Sequence, residues 1–91
     1  MTQITVAPER LEGVAGVFDA RKSETESLIN TLQAALDGLE AEWEGVAHNR
    51  FYGQWTETLP KMHQFADLLG EIAHELRRIA QVFRETDQTV I

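Results

Sequence analysis

The stretch Trp43-Glu44-Gly45 lies almost at the midpoint of a chain of 91 residues. A long helical pattern of apolar residues precedes it, and a second one follows it. Glycine just past the last turn of a helix can adopt the left-handed conformation that ends the helix, so we expect the first helix to end close to Gly45. This layout predicts an all-α fold, a helix-turn-helix hairpin of two long antiparallel helices.

The second half of the chain carries a regular apolar stripe. Its residues recur at alternating steps of three and four, which keeps side chains on one side of a helix and matches the seam of a coiled coil. The stripe contains Phe51, Trp55, Met62, Phe65, Leu69, Ile72, Leu76, Ile79 and Phe83. We therefore predict one amphipathic helix over about 47–88.

The first half repeats the pattern more loosely. Its apolar positions are Leu11, Val14, Phe18, Leu28, Leu32, Ala35 and Leu39, and Ala15, Ile29 and Leu36 widen the stripe. From Arg21 to Glu26 the side chains are polar and offer little beyond their aliphatic stems for packing. Pro8 suits the first position of a helix, because its missing N–H would have no partner there. We predict a first helix over about 8–43, thinly packed in its middle, and a corner over about 44–46.

Pro60 interrupts the second helical pattern. A proline inside a helix removes one hydrogen bond and costs about 3 kcal/mol. Helical geometry places Pro60 on the far side of the helix from the stripe, where a bend convex to solvent is tolerated. We predict a continuous, bent helix; the alternative is a break, with one helix ending near Thr58 and another beginning at Pro60.

A single hairpin cannot cover stripes of this width, because two helices share only one contact line. A second hairpin would cover the rest and complete a four-helix bundle. Because a two-fold axis brings the same surface of both subunits together, a homodimer is the default partner choice, and a similar helical hairpin protein would serve as a heterodimer partner. Most apolar positions of the two stripes should form the core and the dimer interface. The residues that we assign to it are Leu11, Phe18, Leu28, Leu32, Leu36, Leu39, Phe51, Trp55, Met62, Phe65, Leu69, Ile72, Leu76 and Ile79.

The charge balance excludes several classes of partner. The formal net charge is −7, and both halves are acidic. Without a basic face we expect no binding to nucleic acid and none to an anionic membrane surface.

If residues equidistant from the corner face each other, Glu12 lies near Arg77 and Arg78. We find neither cysteine nor the pattern of a cleavable signal peptide or membrane span, which predicts a soluble chain made in the cytoplasm.

Nothing in the sequence indicates an enzyme or a cofactor site. The best metal candidate is the row His63, Asp67, Glu71 and His74, which includes the Glu-x-x-His spacing of di-metal bundles. The apolar stripe occupies the inward positions, so we interpret this row as a solvated face and expect no metal. Trp43 and Trp55 lie at stripe or corner positions, where we expect them to pack rather than to bind a ligand.

At Trp43-Glu44-Gly45 the sequence resembles the WXG hundred-residue family, the ESAT-like or Esx substrates of type VII secretion. The resemblance covers essentially the whole chain: the central Trp-x-Gly, arms of near-equal length, the start at Ile4, Val6, Pro8 and Glu9, and aromatic residues after the corner. It implies a secreted, helical protein that is exported without a cleavable signal peptide and is recognised by the type VII secretion ATPase.

The family carries a C-terminal export signal of the form Tyr-x-x-x-Asp/Glu, often followed by an apolar residue. The matching stretch here has Phe83 in place of the tyrosine, Asp87 as the acid and Val90 in the later position. Phenylalanine keeps the ring and loses the hydroxyl. The resemblance implies that Trp43 and Gly45 act with this stretch as a two-part signal across a dimer. Two roles are compatible with it: a dimeric effector or carrier, or an adaptor that pairs with the N-terminal hairpin of a larger type VII toxin.

Overall fold

The computed structural model describes residues 6–89 of the chain. They form two α-helices, α1 over Pro8–Glu40 and α2 over Val46–Thr89, and contain no strand. The helices pack antiparallel in an elongated hairpin of 71 × 20 × 20 Å, which confirms the predicted all-α hairpin. Neither helix, over that part of the chain, contains an apolar stretch long enough to span a bilayer.

α1 begins at Pro8, as the sequence predicts. Ala7 before it has an extended backbone, with φ −65° and ψ 139°, and makes no side-chain cap. Its carbonyl instead accepts the backbone N–H groups of Arg10 at 2.9 Å and Leu11 at 3.3 Å. Because Pro8 has no N–H to satisfy and its φ already suits a helix, the start of α1 tolerates a residue that caps poorly.

The chain leaves α1 through a tight turn. α1 ends at Glu40, earlier than the predicted residue 43. The backbone N–H groups of Glu42 and Trp43 donate to the carbonyls of Leu39 at 3.0 Å and Glu40 at 3.3 Å, which satisfies two of the free carbonyls at the helix end. Trp43 therefore lies outside both helices.

Gly45 opens α2 rather than closing α1. Its φ is +112°, in the region that favours glycine, as the sequence predicts. Its position differs from the prediction, which placed this conformation at the end of α1. The Gly45 carbonyl accepts the backbone N–H of Asn49 at 3.1 Å and so starts the hydrogen-bond ladder of α2. The reversal of the chain is thus completed one residue before the second helix.

Pro60 lies inside α2 and does not interrupt it. Its side chain is exposed, as expected for a position on the far side of the helix from the stripe. The lost hydrogen bond therefore falls on the solvent side, where water can satisfy the freed carbonyl. The alternative of a break between Thr58 and Pro60 does not occur.

Small residues form the contact line between the two helices. α2 contributes Ala66, Ala73 and Ala80, which are buried and follow each other at steps of seven, and α1 contributes Ala15 and Ile29. A step of seven keeps side chains on one line along packed helices. Methyl side chains allow the helix axes to approach closely, so among residues 6–89 only Ile29 is both large and fully buried.

The predicted stripes lie to one side of this contact line. We call this flank of the hairpin the apolar face. Its exposed members are Val14, Leu28, Leu32, Leu39, Phe65, Ile72 and Phe83. Its half-buried members are Leu11, Phe18, Met62, Leu69, Leu76 and Ile79, and Leu36, Phe51 and Trp55 are half-buried nearer the corner. Ala66, Ala73 and Ala80 were not part of the predicted stripe of α2, because alanine gives a weak apolar signal beside these larger residues.

Ion pairs join the arms on the other side of the contact line. Arg77 Nη2 lies 2.6 Å from Asp19 Oδ2, and Arg84 binds Glu12 through both terminal nitrogens. The expectation that Glu12 lies near Arg77 and Arg78 holds only for Arg77, whose charge helps to lower the pKa of the Glu12 carboxyl after the larger effect of the hydrogen bond from Arg84. Arg78 pairs within its own helix. Helical side chains lean toward the N-terminus, so those of α2 reach toward the corner and those of α1 reach away from it. Glu12 therefore meets an arginine farther along α2.

The polar middle of α1 is helical but thinly packed, as the sequence indicates. Lys22 occupies the contact line halfway between Ala15 and Ile29, and its stem lies against Gly70. A Cβ built on Gly70 would come within 3.1 Å of Lys22 Cδ. The aliphatic stem of a lysine thus replaces an apolar residue at this level of the hairpin.

We expect Gly45→Ala to lower the free energy of unfolding by about 1–2 kcal/mol, because an alanine at positive φ strains the backbone. Gly53→Ala is the matched control: Gly53 lies inside α2, nothing lies within 4 Å of its Cβ position, and alanine should stabilise the helix by about 1 kcal/mol. Denaturant unfolding measures both changes. Shifts of the same sign in the two variants would contradict the geometry of the corner.

Candidate functional site

Four rings meet at the corner and hold Trp43 in place. The centroid of the Trp43 ring lies 5.7 Å from that of His48, 5.8 Å from Phe51 and 6.0 Å from Tyr52. His48 and Tyr52 are 4.5 Å apart, and Phe51 and Tyr52 are 5.2 Å apart. These separations are those of favourable aromatic pairs. The Trp43 ring therefore packs onto the first turns of α2 although its backbone belongs to neither helix.

Two hydrogen bonds tie this end of α2 to α1. The Tyr52 hydroxyl donates to the Leu36 carbonyl at 2.6 Å, and Trp55 Nε1 donates to Gln33 Oε1 at 2.8 Å. Both bonds are partly buried, where a hydrogen bond fixes geometry and an unpaired donor is costly. Together with the ring contacts they make the corner a rigid element.

Carboxylates at the end of α1 surround the ring cluster. Burial raises the pKa of the Tyr52 hydroxyl, and the negative charges of Glu40 and Asp37 raise it further. The hydroxyl therefore keeps its proton at neutral pH and remains a donor to α1. His48 Nε2 lies 3.5 Å from Glu40 Oε1. The corner thus combines an aromatic interior with an acidic rim.

The outer side of the corner is open. A Cβ built on Gly45 would meet nothing within 4 Å, and Trp43 is only half-buried. The motif Trp43-Glu44-Gly45 therefore presents part of an indole ring and a bare stretch of backbone to solvent. Both are surfaces that a protein partner can contact directly.

A groove of about 340 Å³ crosses the apolar face beside the polar middle of α1. Its lining residues are Thr25, Leu28, Lys61, Met62 and Phe65. Thr25 is short and belongs to the thinly packed stretch, so it leaves space between the arms. Phe65 borders the groove and is 54% exposed. The groove is therefore a place where a bulky apolar side chain of a partner can pack.

The predicted export stretch lies at the other end of the hairpin. Phe83 belongs to the apolar face and is 39% exposed. Asp87 lies within α2, which continues to Thr89. Val90, and Ile4 of the resemblance at the start of the chain, lie outside the described residues. Trp43 and Gly45 therefore do not meet Phe83 and Asp87 within one chain, because the length of the hairpin separates them.

Sequence reasoning missed several residues that shape these sites. The helical pattern predicts no partner for Tyr52, His48, Gln33 or Arg84. For Tyr52 a pattern was available, because it lies a heptad multiple from Ala66 and Ala73 and thus on the contact line. The partners of His48 and Arg84 depend on how the corner sets the register of the arms, which a helical pattern does not specify.

The histidines and carboxylates are dispersed in the structure. Among residues 6–86, whose side chains the structure describes, no three side chains of the kind that bind metals come together, and the row from His63 to His74 follows the surface of α2. In that same range every buried side-chain nitrogen or oxygen has a hydrogen-bond partner. The corner, the apolar face and the end of α2 therefore remain as the candidate functional surfaces, and all three suit contact with another protein.

Comparison with known protein sequences places these features in a family. Residues 3–88 match the family model WXG100, described as proteins of 100 residues with WXG. The chain is 31% identical over 88 residues to the type VII secretion system extracellular protein A of Staphylococcus aureus, covering 97% of this chain and 91% of that protein. It is 29% identical over 90 residues to an ESAT-6-like protein of Streptococcus agalactiae, covering 99% of this chain and 94% of that protein.

Solved structures agree with this assignment. The secreted protein EsxB of Bacillus anthracis is 37% identical, with a TM-score of 0.81 over 96% of this chain and 99% of that one. EsxA of Geobacillus thermodenitrificans is 32% identical, with a TM-score of 0.83 over 97% of this chain and 96% of that one. The resemblance at Trp43 and Gly45 is confirmed. The chain therefore belongs to the WXG100 family, the proteins of 100 residues with a Trp-x-Gly motif.

Proposed function

We propose that this protein is a non-enzymatic substrate of a type VII secretion system. It dimerises as a helical hairpin, leaves the cell folded, and acts outside as an effector or carries another protein with it. The observation that carries the proposal is the apolar face, which the hairpin leaves uncovered along its length. The similarity to type VII extracellular proteins supports export as the process that the dimer serves.

The surface area of the chain supports pairing. A compact monomer of 10.3 kDa exposes roughly 5,400 Å², whereas this chain exposes 7004 Å². The difference is roughly twice the 800 Å² that each partner buries in an interface of standard size. A second hairpin on the apolar face would complete a four-helix bundle, and an interface of standard size would remove about half of this excess. The partner is a second copy of this chain or a similar helical hairpin protein.

The separation of the two motifs gives the dimer a role in export. Trp43 and Gly45 lie at one end of a molecule 71 Å long, and Phe83 lies toward the other end. Antiparallel pairing of two hairpins would place the corner of one chain beside the end of α2 of its partner. The type VII secretion ATPase would then read a composite signal that only a folded dimer presents. Such a signal needs no cleavable signal peptide.

A second function, that of an adaptor, has one observation in its favour. The groove beside Thr25 lies where α1 has no large apolar residue to fill it. A hairpin with such a groove is suited to a partner of different sequence that fills it, such as the helical N-terminus of a larger type VII toxin. Expression without that partner separates the two functions: an adaptor would be a poorly helical monomer by circular dichroism and light scattering, whereas a self-pairing substrate would be a helical dimer.

We expect Phe65→Glu to weaken the dimer, because it places a charge on the apolar face where a partner would bury the ring. The dissociation constant should rise by about 30-fold or more if Phe65 is an anchor of the interface. Val46→Glu is the control, since Val46 is 77% exposed and lies at the corner. Sedimentation equilibrium measures both variants. A well-ordered monomer at micromolar concentration for the unchanged protein would refute pairing altogether.

We expect Phe83→Ala and Asp87→Ala to abolish secretion while the helical content and the mass of the complex stay unchanged, because Phe83 follows Ile79, the last residue that we assign to the dimer interface. Removal of the ring or the acid would leave the receptor without its two side-chain contacts. Val82→Ala is the matched control, because Val82 is 43% exposed and adjacent to Phe83 but outside the motif. The measurement is the amount of protein in the culture medium of cells with and without the type VII ATPase. Normal secretion of both motif variants would rule out the proposed signal.

A further inference from the structure

Arg84 links the export stretch to the beginning of α1. Its Nη1 donates to Glu12 Oε2, and its Nη2 donates to Glu12 Oε1 at 2.6 Å and to Glu9 Oε2 at 3.2 Å. Two parallel bonds from a guanidinium to one carboxylate form a fork that fixes both distance and orientation. The arginine follows Phe83 directly and precedes Asp87 by three positions. The contact therefore joins a residue between Phe83 and Asp87 to the first turns of α1.

This contact differs from the other ion pair between the arms. Arg77 reaches Asp19 through one short contact, and both side chains are about half exposed. Arg84 binds two carboxylates and is 34% exposed, so it is the better shielded arginine. Its hydrogen bond to Glu12 raises the pKa of the guanidinium, and the same bond lowers the pKa of the Glu12 carboxyl. Both groups are therefore charged at neutral pH, and a bidentate pair of this kind contributes more than a typical surface ion pair.

The fork also fixes the rotation of α2 about its own axis. Ala80, one turn before Arg84, is buried against α1. With Ala80 and Arg84 both directed toward α1, helical geometry places Phe83 about a quarter of a turn away, on the apolar face. A guanidinium fixed on α1 would therefore also hold the Phe83 ring toward that face.

On the basis of the proposed export function, we propose that Arg84 is a positioning residue. By binding Arg84, Glu9 and Glu12 hold the export stretch as a fixed helix for its receptor. Glu9 and Glu12 lie far from the motif in sequence, so they can be changed while every residue of the motif is kept. The positioning role predicts that their removal impairs export although the motif itself is intact.

The test compares Glu9→Ala/Glu12→Ala with Asp19→Ala in the full chain, in cells that carry the type VII apparatus. The double variant frees Arg84, whereas Asp19→Ala removes the other ion pair between the arms. We expect secretion to fall by about fivefold or more in the double variant and to stay normal in the control, since the export stretch would be held in its receptor-competent orientation for a smaller fraction of the time. Normal or increased secretion of the double variant overturns the proposal.

A structural measurement separates positioning from general loss of stability. In the purified dimer, amide hydrogen exchange of residues 81–86 should become roughly fivefold faster in the double variant, with exchange near the corner unchanged. Unchanged exchange in residues 81–86 overturns the proposal, as does equal acceleration along the whole hairpin.

The charge-swapped chain Glu9→Gln/Glu12→Arg/Arg84→Glu is a further test. It should restore secretion relative to Glu9→Gln/Glu12→Arg, because the contact between positions 12 and 84 is rebuilt with its polarity reversed and Glu9 no longer repels the new carboxylate. A swap that secretes no better than Glu9→Gln/Glu12→Arg overturns the proposal. Two outcomes distinguish this proposal from the export function on which it rests. If the export function is wrong, Phe83→Ala is secreted normally. If only the positioning role of Arg84 is wrong, Phe83→Ala is not secreted and Glu9→Ala/Glu12→Ala is secreted normally.

Discussion

The close contact of two helices along a row of alanines is the constraint on which the rest of the hairpin depends. Ala66, Ala73 and Ala80 occupy the contact line of α2, so the arms approach closely there and few large side chains, such as Ile29, fit between them. Phe65, Ile72 and most of the other large apolar residues then lie beside that line. Because ion pairs occupy one flank, the large apolar residues gather on the other. A thin internal core and a broad apolar face are therefore two consequences of the same packing.

The corner sets the register that this packing needs. Gly45 reverses the chain at a backbone conformation that other residues adopt only with strain, and the Trp43 ring covers the first turns of α2. The bonds from Tyr52 and Trp55 to α1 then fix how far one arm slides past the other. With that offset set, the alanine row of α2 faces Ala15 and Ile29, and Arg84 comes level with the start of α1. The corner thus has a structural role as well as an exposed surface.

The sequence was sufficient to predict the number of helices, their direction and the place of the corner, because a period near 3.5 and a central Trp-x-Gly depend only on local geometry. It did not identify the side of each helix that faces the other. Phe65 and Ile72 give a stronger apolar signal than Ala66 and Ala73, yet the alanines form the internal contact. The apolar pattern therefore includes residues of two surfaces, the contact between the helices and the exposed apolar face. The prediction for Glu12 missed Arg84 for a related reason. The distance of a residue from the corner does not give the length of its side chain or the direction in which that side chain leans.

The distribution of charge explains how an acidic chain can still present a surface for pairing. Within the described residues, Arg77 and Arg84 are bound to acids of α1 on the flank opposite the apolar face, so these ion pairs hold the arms together without crossing the surface that a partner would cover. An interface without paired opposite charges gains its free energy from apolar burial and encodes little choice of partner. A partner on the apolar face would then be selected by its shape, and the groove beside Thr25 is a shape feature of that face.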